Sequence, residues 1–232
     1  SGDGWRRLDA AVSGHLRITV YPGPYRPGVH TVEGDWSGAS YLLGAGAVGG
    51  NPVRVNGLRT DSLQGDRAIL DILRGMGAHL SFEDDAVTVW PSTLRGIDVD
   101  MGACPDLVPT VDVLAAAAHG ETRIRNVAHL RIKESDRIAA PARELARVGV
   151  RVVPLDDGLV VSGIGQDGLA ANVRALPSDI HFQAHNDHRI AMSLALLSLL
   201  PGVHLPIRER IDDPDTVAKS FPHFWDLWEE LR

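Results

Sequence analysis

The apolar and polar positions of this chain fall into a pattern that returns. "GDWSGASYLLGAGAVGGNPVRV", from Gly34, predicts a helix, a Gly-rich turn and then a strand. "CPDLVPTVDVLAAAAHGETRIRN", from Cys104, predicts the same order, and so does "NDHRIAMSLALLSLLPGVHLPI", from Asn186. In each, a small polar or acidic cluster precedes an apolar run rich in Ala or Leu, as expected where a helix starts.

A second set of helices follows the first. "QGDRAILDILRGMGAHL" carries Asp66-Arg67, and "KESDRIAAPARELARVGVRV" carries Asp136-Arg137 seventy residues later (136 minus 66). The third member is "DTVAKSFPHFWDLWEEL" at the end of the chain. After the first two come alternating runs, "HLSFEDDAVTVWP" and "VRVVPLDDGLVVSG", with Asp84-Asp85 and Asp156-Asp157-Gly158 as hairpin turns. Each unit therefore reads helix, strand, helix, strand, strand. A period near seventy residues exceeds the usual solenoid repeats and predicts a compact α/β domain of three modules. The modules span about residues 34–96, 97–165 and 178–232. Residues 1–33 stand outside the pattern: "HLRITV" predicts a strand and "YPGPYRPG" a linker, together the tail of a preceding domain.

Length and composition narrow the class without changing that picture. The chain has 232 residues, 44% hydrophobic and 23% charged, enough for one or two soluble domains. Its formal net charge of −7 argues against nucleic acid as the main partner. No apolar run reaches the length of a membrane span, and the N-terminal segment lacks a signal-peptide core. The single Cys104 excludes an internal disulfide and suits a reducing cytoplasm; beside Pro105 it reads as a small buried filler rather than a catalytic thiol.

In an acidic chain a local cluster of cations is telling. Arg137, Arg189 and Lys219 all fall at predicted helix starts, with Ser135 or Asp136, Asn186 or Asp187, and Asp215 or Thr216 as caps. In "RIKESDRIAA" a helical first turn would put Lys133, Glu134 and Arg137 on one face. The helix dipole makes a cation mildly unfavourable at an N-terminus, so three of them fit a grip on a multiply charged anion. Each alone reads more readily as a solvated helix end; the repeat, which brings equivalent starts together, shifts the balance toward the grip. Asp106, after Pro105 at another helix start, and Glu134 are the carboxylates placed for acid–base work. Their plainer readings are a cap and an intrahelical ion pair. His185, Asp187 and His188 lie beside Arg189, which would repel a metal ion, and no HExxH-like spacing occurs, so no metal site is expected. The aromatic run Phe221, Phe224, Trp225 and Trp228 predicts the packing face of the last helix.

"RIKESDRIAA", "NDHRIAMSLALLSL", "DDPDTVAKSFPHFW" and "VEGDWSGASYLLGAGAV" resemble signatures of the 5-enolpyruvylshikimate-3-phosphate synthase family, from about Gly23 to the C-terminus. The resemblance implies an enolpyruvyl transferase-type α/β fold of three β-α-β-α-β-β units in pseudo-threefold arrangement. It implies transfer of the enolpyruvyl group of phosphoenolpyruvate to the 5-hydroxyl of shikimate 3-phosphate, without metal or organic cofactor. In that reading Asp106 is the base on the 5-hydroxyl and Glu134 the proton donor or shuttle. Asp106, His129 and Lys133 would contact shikimate 3-phosphate, and Arg137, Arg189 and Lys219 would hold phosphoenolpyruvate or glyphosate. The family's lysine-serine-arginine motif, a further phosphoenolpyruvate arginine and a serine-serine-glutamine motif have no counterpart here. The chain is therefore expected to be a C-terminal half that needs the N-terminal half for turnover, in a cytoplasmic enzyme that is monomeric when full length. Two alternatives stand beside it: the related UDP-N-acetylglucosamine enolpyruvyl transferase, and a non-catalytic anion-binding module.

Overall fold

The computed structural model describes residues 19–83 and 85–231. Most of the strand expected over "HLRITV" and Asp84 of the first hairpin turn lie outside the described residues. The chain divides into two units, Ser1–Val32 and Glu33–Arg232. Residues 19–32 of the first are exposed and carry neither helix nor strand.

In the second unit, the first two modules appear in the expected order. Module one is α1 (Trp36–Val48), β1 (Val53–Asn56), α2 (Ile69–Gly75), β2 (His79–Glu83) and β3 (Ala86–Trp90). Its strands form an antiparallel sheet in the order β1-β3-β2. Module two is β4 (Asp98–Asp100), α3 (Val108–Ala117), β5 (His119–Arg125), α4 (Ala139–Arg147), β6 (Arg151–Leu155) and β7 (Gly158–Ile164). Its sheet runs β4-β5-β7-β6, with β4 parallel to β5 and the other pairs antiparallel. Leu155 opposite Gly158 closes a two-residue turn over Asp156-Asp157, as the Asp-Asp-Gly run predicts.

After α5 (Gln166–Arg174), the third module keeps its helices, α6 (His188–Ala195) and α7 (Phe224–Glu230), but has no strand among the described residues. Residues 203–206, expected to begin a strand, are irregular, and Ile207–Arg210 is a 3-10 turn. What remains of sheet pairing is one parallel bridge between Phe182 and Ile211. "PGVHLPIRER" carries prolines at positions 201 and 206, each without an N–H to donate to a ladder.

The leading helices of the three modules make the core. Every residue of α3 is buried, as are most of α1 and α6; a helix apolar all round has no solvent face to present. Small residues let them approach. A Cβ on Gly46 would lie 2.7 Å from the Val89 carbonyl oxygen, so only glycine lets α1 lie on β3. Ser40 on α1 and Thr110 on α3, again seventy residues apart, meet hydroxyl to hydroxyl at 3.2 Å in the interior. Phe224 of α7 stacks on Trp228 and meets Tyr41, Phe221 and Trp225 edge-on, so the aromatic run is packing, as read. Cys104 is buried, and burial pushes its thiol up to about 11; it is the inert filler expected.

Candidate active site

Acidic caps build the site. Asp136 Oδ1 accepts from the backbone N–H groups of Ile138 and Ala139, which starts α4 at Ala139, after Arg137 rather than before it. Arg137 therefore sits in the turn ahead of the helix, and Lys133, Glu134 and Arg137 do not share a helical face. Asp187 caps α6 by accepting from the Arg189 N–H at 3.0 Å, as expected. Lys219 ends a 3-10 segment, Pro214–Lys219, and precedes α7; neither Asp215 nor Thr216 caps a helix there. Asp106 lies in a 3-10 turn, Pro105–Leu107, that feeds α3, and its carboxylate turns to side chains instead of to the helix end.

Those turns bring charged residues of the second and third modules into one network. The Arg137 side chain is 1% exposed. It donates from Nη1 to Asp106 Oδ1 at 3.0 Å, from Nη2 to Glu134 Oε2 at 2.8 Å and from Nε to Asp187 Oδ2 at 2.7 Å. Arg189 Nη2 donates to Asp106 Oδ2 at 2.8 Å, and Lys219 Nζ to Glu134 Oε1 at 2.8 Å. Asp106 thus bridges the two arginines, and Glu134 bridges Arg137 to Lys219. Glu134 does form the local ion pair with Arg137, but its other oxygen reaches eighty-five residues along the chain.

The electrostatics differ along the network. The Lys219 hydrogen bond, with the charge of Arg137 behind it, holds the Glu134 carboxyl down to about 2. Burial pushes Asp187 up, yet hydrogen bonds and charge from Arg137, with Ser135 and the Arg189 N–H, leave it below the usual carboxylate range. Burial pushes the Tyr41 phenol up to about 12 against the pull of Arg189 and Arg137. Its hydroxyl lies beside Arg189 without a hydrogen bond of proper geometry. Asp66, bonded to the Ser37 hydroxyl, is pushed up by burial and by neighbouring Asp106.

Five of the seven expected residues, Asp106, Glu134, Arg137, Arg189 and Lys219, are brought together. His129 and Lys133 sit on the exposed rim of the same turn, hydrogen-bonded to nothing among the described residues. Asp187, Ser135, Asp66 and Tyr41 belong to the site and were not expected there. Asp187 had the signal of a cap, and nothing in the local pattern signals that it also holds Arg137, fifty residues away. A cleft of about 520 Å³ lies elsewhere, around residues 198–204. The charged network is reached from solvent at Lys219, Asp106 and Glu134 and is buried at Arg137 and Asp187.

A pseudo-threefold α/β domain whose helix-start turns gather arginine, lysine and carboxylate on one open wall has the build of an enolpyruvyl transferase domain. The family described as EPSP synthase (3-phosphoshikimate 1-carboxyvinyltransferase) matches residues 6–228, and the chain belongs to that family. It is 44% identical to the 3-phosphoshikimate 1-carboxyvinyltransferase of Syntrophobacter fumaroxidans, over 93% of this chain and 48% of that protein. To that of Methanothermobacter thermautotrophicus it is 42% identical, over 88% and 45%. Among solved structures, EPSP synthase from Acinetobacter baumannii superposes with a TM-score of 0.71 at 27% identity, covering 86% of this chain and 46% of that one. The enolpyruvyl transferase NikO from Streptomyces tendae, at 21% identity and TM-score 0.62, shares the fold. The chain spans about half the length of the relatives it matches. No helix of the described residues is long and apolar enough to cross a membrane.

Proposed function

We propose that residues 34–232 form one wall of the catalytic cleft of a 3-phosphoshikimate 1-carboxyvinyltransferase. The other wall comes from the half of its relatives that this chain does not match. The observation that carries the proposal is the network in which Asp106 and Glu134 tie together cations from separate modules.

Phosphoenolpyruvate brings a carboxylate and a phosphate, and the wall supplies cations that differ in availability. The Lys219 side chain is 56% exposed and is the first to be recruited; Arg189, at 13%, is reached next. Arg137 is buried, and its donors are taken by Asp106, Glu134 and Asp187. It meets the ligand only in exchange for Glu134 or Asp106. Three carboxylates balance three cations in this network, so the incoming anion must draw the cations off the catalytic carboxylates.

That exchange prepares the chemistry. The reaction adds the 5-hydroxyl to the central carbon of phosphoenolpyruvate while its methylene carbon gains a proton; loss of a proton and of phosphate then restores the double bond. Asp106, freed on one side from Arg189, accepts the hydroxyl proton. Glu134 at about 2 is too acidic to hold a proton for the methylene carbon. Once Lys219 and Arg137 turn to the ligand and the cleft closes, its pKa rises into the range where it can donate and then recover a proton. His129 and Lys133, both exposed, would contact shikimate 3-phosphate. No step calls for a metal or an organic cofactor. The same cation set would take glyphosate, and the family and the buried Cys104 fit a cytoplasmic enzyme.

Calorimetry with phosphoenolpyruvate and shikimate 3-phosphate, on this chain with and without the N-terminal half of a relative, tests the proposal. Binding and turnover are expected with the added half, and little or no turnover without it. Robust turnover by the 232-residue chain alone, or none with the added half, contradicts it.

A further inference from the structure

Beneath the wall lies a second buried carboxylate, Glu144 on α4, that the reaction does not use. Its Oε2 accepts from the Gln183 N–H at 3.0 Å and forms an ion pair with Arg147 Nε at 3.0 Å, and His185 Nε2 lies 3.3 Å from Oε1. The contacts from Gln183 and His185 bear on the segment leading into α6, while Arg147 lies on α4 itself. That segment is unusual: His185 and Asn186 are consecutive non-glycine residues in the left-handed region, with φ of 55° and 56°. Such a pair persists where the surroundings over-determine it. Asp212 Oδ1 holds the Ala184 N–H at 2.7 Å from the other side, and the Asp187 N–H returns to the Ala184 carbonyl at 2.9 Å. The next side chain along is Asp187, fully buried, whose oxygens fix Arg137 and Ser135.

We propose that Glu144 is a positioning residue: by pinning the left-handed His185–Asn186 turn from α4, it sets Asp187 and, through it, the guanidinium of Arg137. The chain of contacts runs from α4 through the turn before α6 and back to the turn before α4, so both ends of the Arg137 clamp are referred to one helix. Networks of this kind carry their effect to a site without touching a ligand.

The part of this inference that concerns phosphoenolpyruvate rests on the proposed function; the part that concerns Arg137 does not. The test therefore reads both, in the 232-residue chain. Hydrogen exchange at Arg137 Nε–H is followed by ¹⁵N spectroscopy against the amides of the β5–β7 pairing. In Glu144→Ala the Arg137 signal is expected to exchange about tenfold faster while the sheet amides keep their protection, and any phosphoenolpyruvate affinity to fall by about the same factor. Glu144→Gln, which still offers an oxygen to the Gln183 N–H, is expected to restore most of both. Arg137 exchange unchanged in Glu144→Ala, or quickened only in step with the sheet amides, overturns the positioning role. A wild-type chain that takes up no phosphoenolpyruvate even with a relative's N-terminal half defeats the enzyme reading alone, and the exchange arm still decides this one. Should Glu144→Ala not fold, His185→Ala removes one contact from a side chain at the edge of the core; a smaller rise at Arg137 is then expected, and no rise overturns the inference.

Discussion

Asp66-Arg67 and Asp136-Arg137 occupy the same step of consecutive modules, and their arginines have opposite fates. Arg67, half-buried, donates to the Thr60 carbonyl at 3.1 Å and to no carboxylate among the described residues. Arg137 is buried among three carboxylates from two modules. The acids part as well. Asp136 accepts from the Ile138 and Ala139 N–H groups at the start of α4, whereas Asp66 bonds the Ser37 hydroxyl and is pushed up by burial. The fold repeats and the chemistry does not: each module supplies the same turn, and only some turns face the wall.

Arginine deletion should show the widest gap. Removing Arg137 leaves buried Asp187 unpaired, so Arg137→Ala is expected to cost about 3–5 kcal/mol in denaturant unfolding and to abolish anion binding. Arg67→Ala is expected to stay within about 0.5 kcal/mol of wild type. Equal losses would mean that the module, not its partners, sets the energy.

Next comes Glu134. In the chain reconstituted with the N-terminal half, Glu134→Gln keeps the shape and removes the proton, so kcat is expected to fall roughly 10²–10⁴-fold. Phosphoenolpyruvate affinity should hold or improve, since Lys219 loses a competitor. A fall in affinity alone, with kcat intact, would demote Glu134 to a binding role.

A smaller effect contrasts two buried aspartates. Asp187 has every oxygen filled; Asp112, in the middle of α3, has none, and burial pushes its carboxyl well above the usual range. The folded chain therefore keeps a proton there that the unfolded chain gives up at about 3.9. Its contribution is fully favourable below the unfolded value, about 3.9, and is lost as pH rises toward the folded value. Asp112→Leu is expected to stabilise by about 1–3 kcal/mol at neutral pH and to flatten the fall of stability above pH 4. An unchanged pH profile would show that Asp112 has a partner after all.

The smallest effect concerns Lys219. With its side chain 56% exposed, Lys219→Ala should change stability by well under about 1 kcal/mol. Yet it should let the Glu134 carboxyl rise from about 2 toward an ordinary glutamate, read by carboxyl ¹³C shifts. Because that pKa is depressed, the pair's contribution is present above the unfolded value and is lost as pH falls from about 5 to 2. A Glu134 titration unmoved by the substitution would assign the depression to Arg137.

Much of this was legible in the chain itself, for a local reason. Helix periodicity, Asp caps and the Asp-Asp-Gly turn are written within a few residues, so the first two modules and the Asp187 cap can be read directly. The resemblance of "KESDR" and "NDHR" brought forward Glu134, Arg137 and Arg189, three of the five residues that meet. What could not be read is long-range. Whether Arg137 is buried depends on Asp106 and Asp187, thirty-one and fifty residues away. The strands expected of the third module have one bridge among the described residues, between segments twenty-nine apart (211 minus 182), which no alternation signals. Glu144 carries no local signal, because its partners Gln183 and His185 lie thirty-nine and forty-one residues away.

The central claim is that cations from different modules serve one small dianion. Phosphoenolpyruvate titrated into the ¹⁵N-labelled chain, joined by the N-terminal half of a relative, measures it most directly. The side-chain signals of Arg137, Arg189 and Lys219 are expected to move together and saturate at one equivalent with one Kd, while Arg67 stays still. Separate saturation of the three, or an Arg67 shift as large as theirs, would contradict the account.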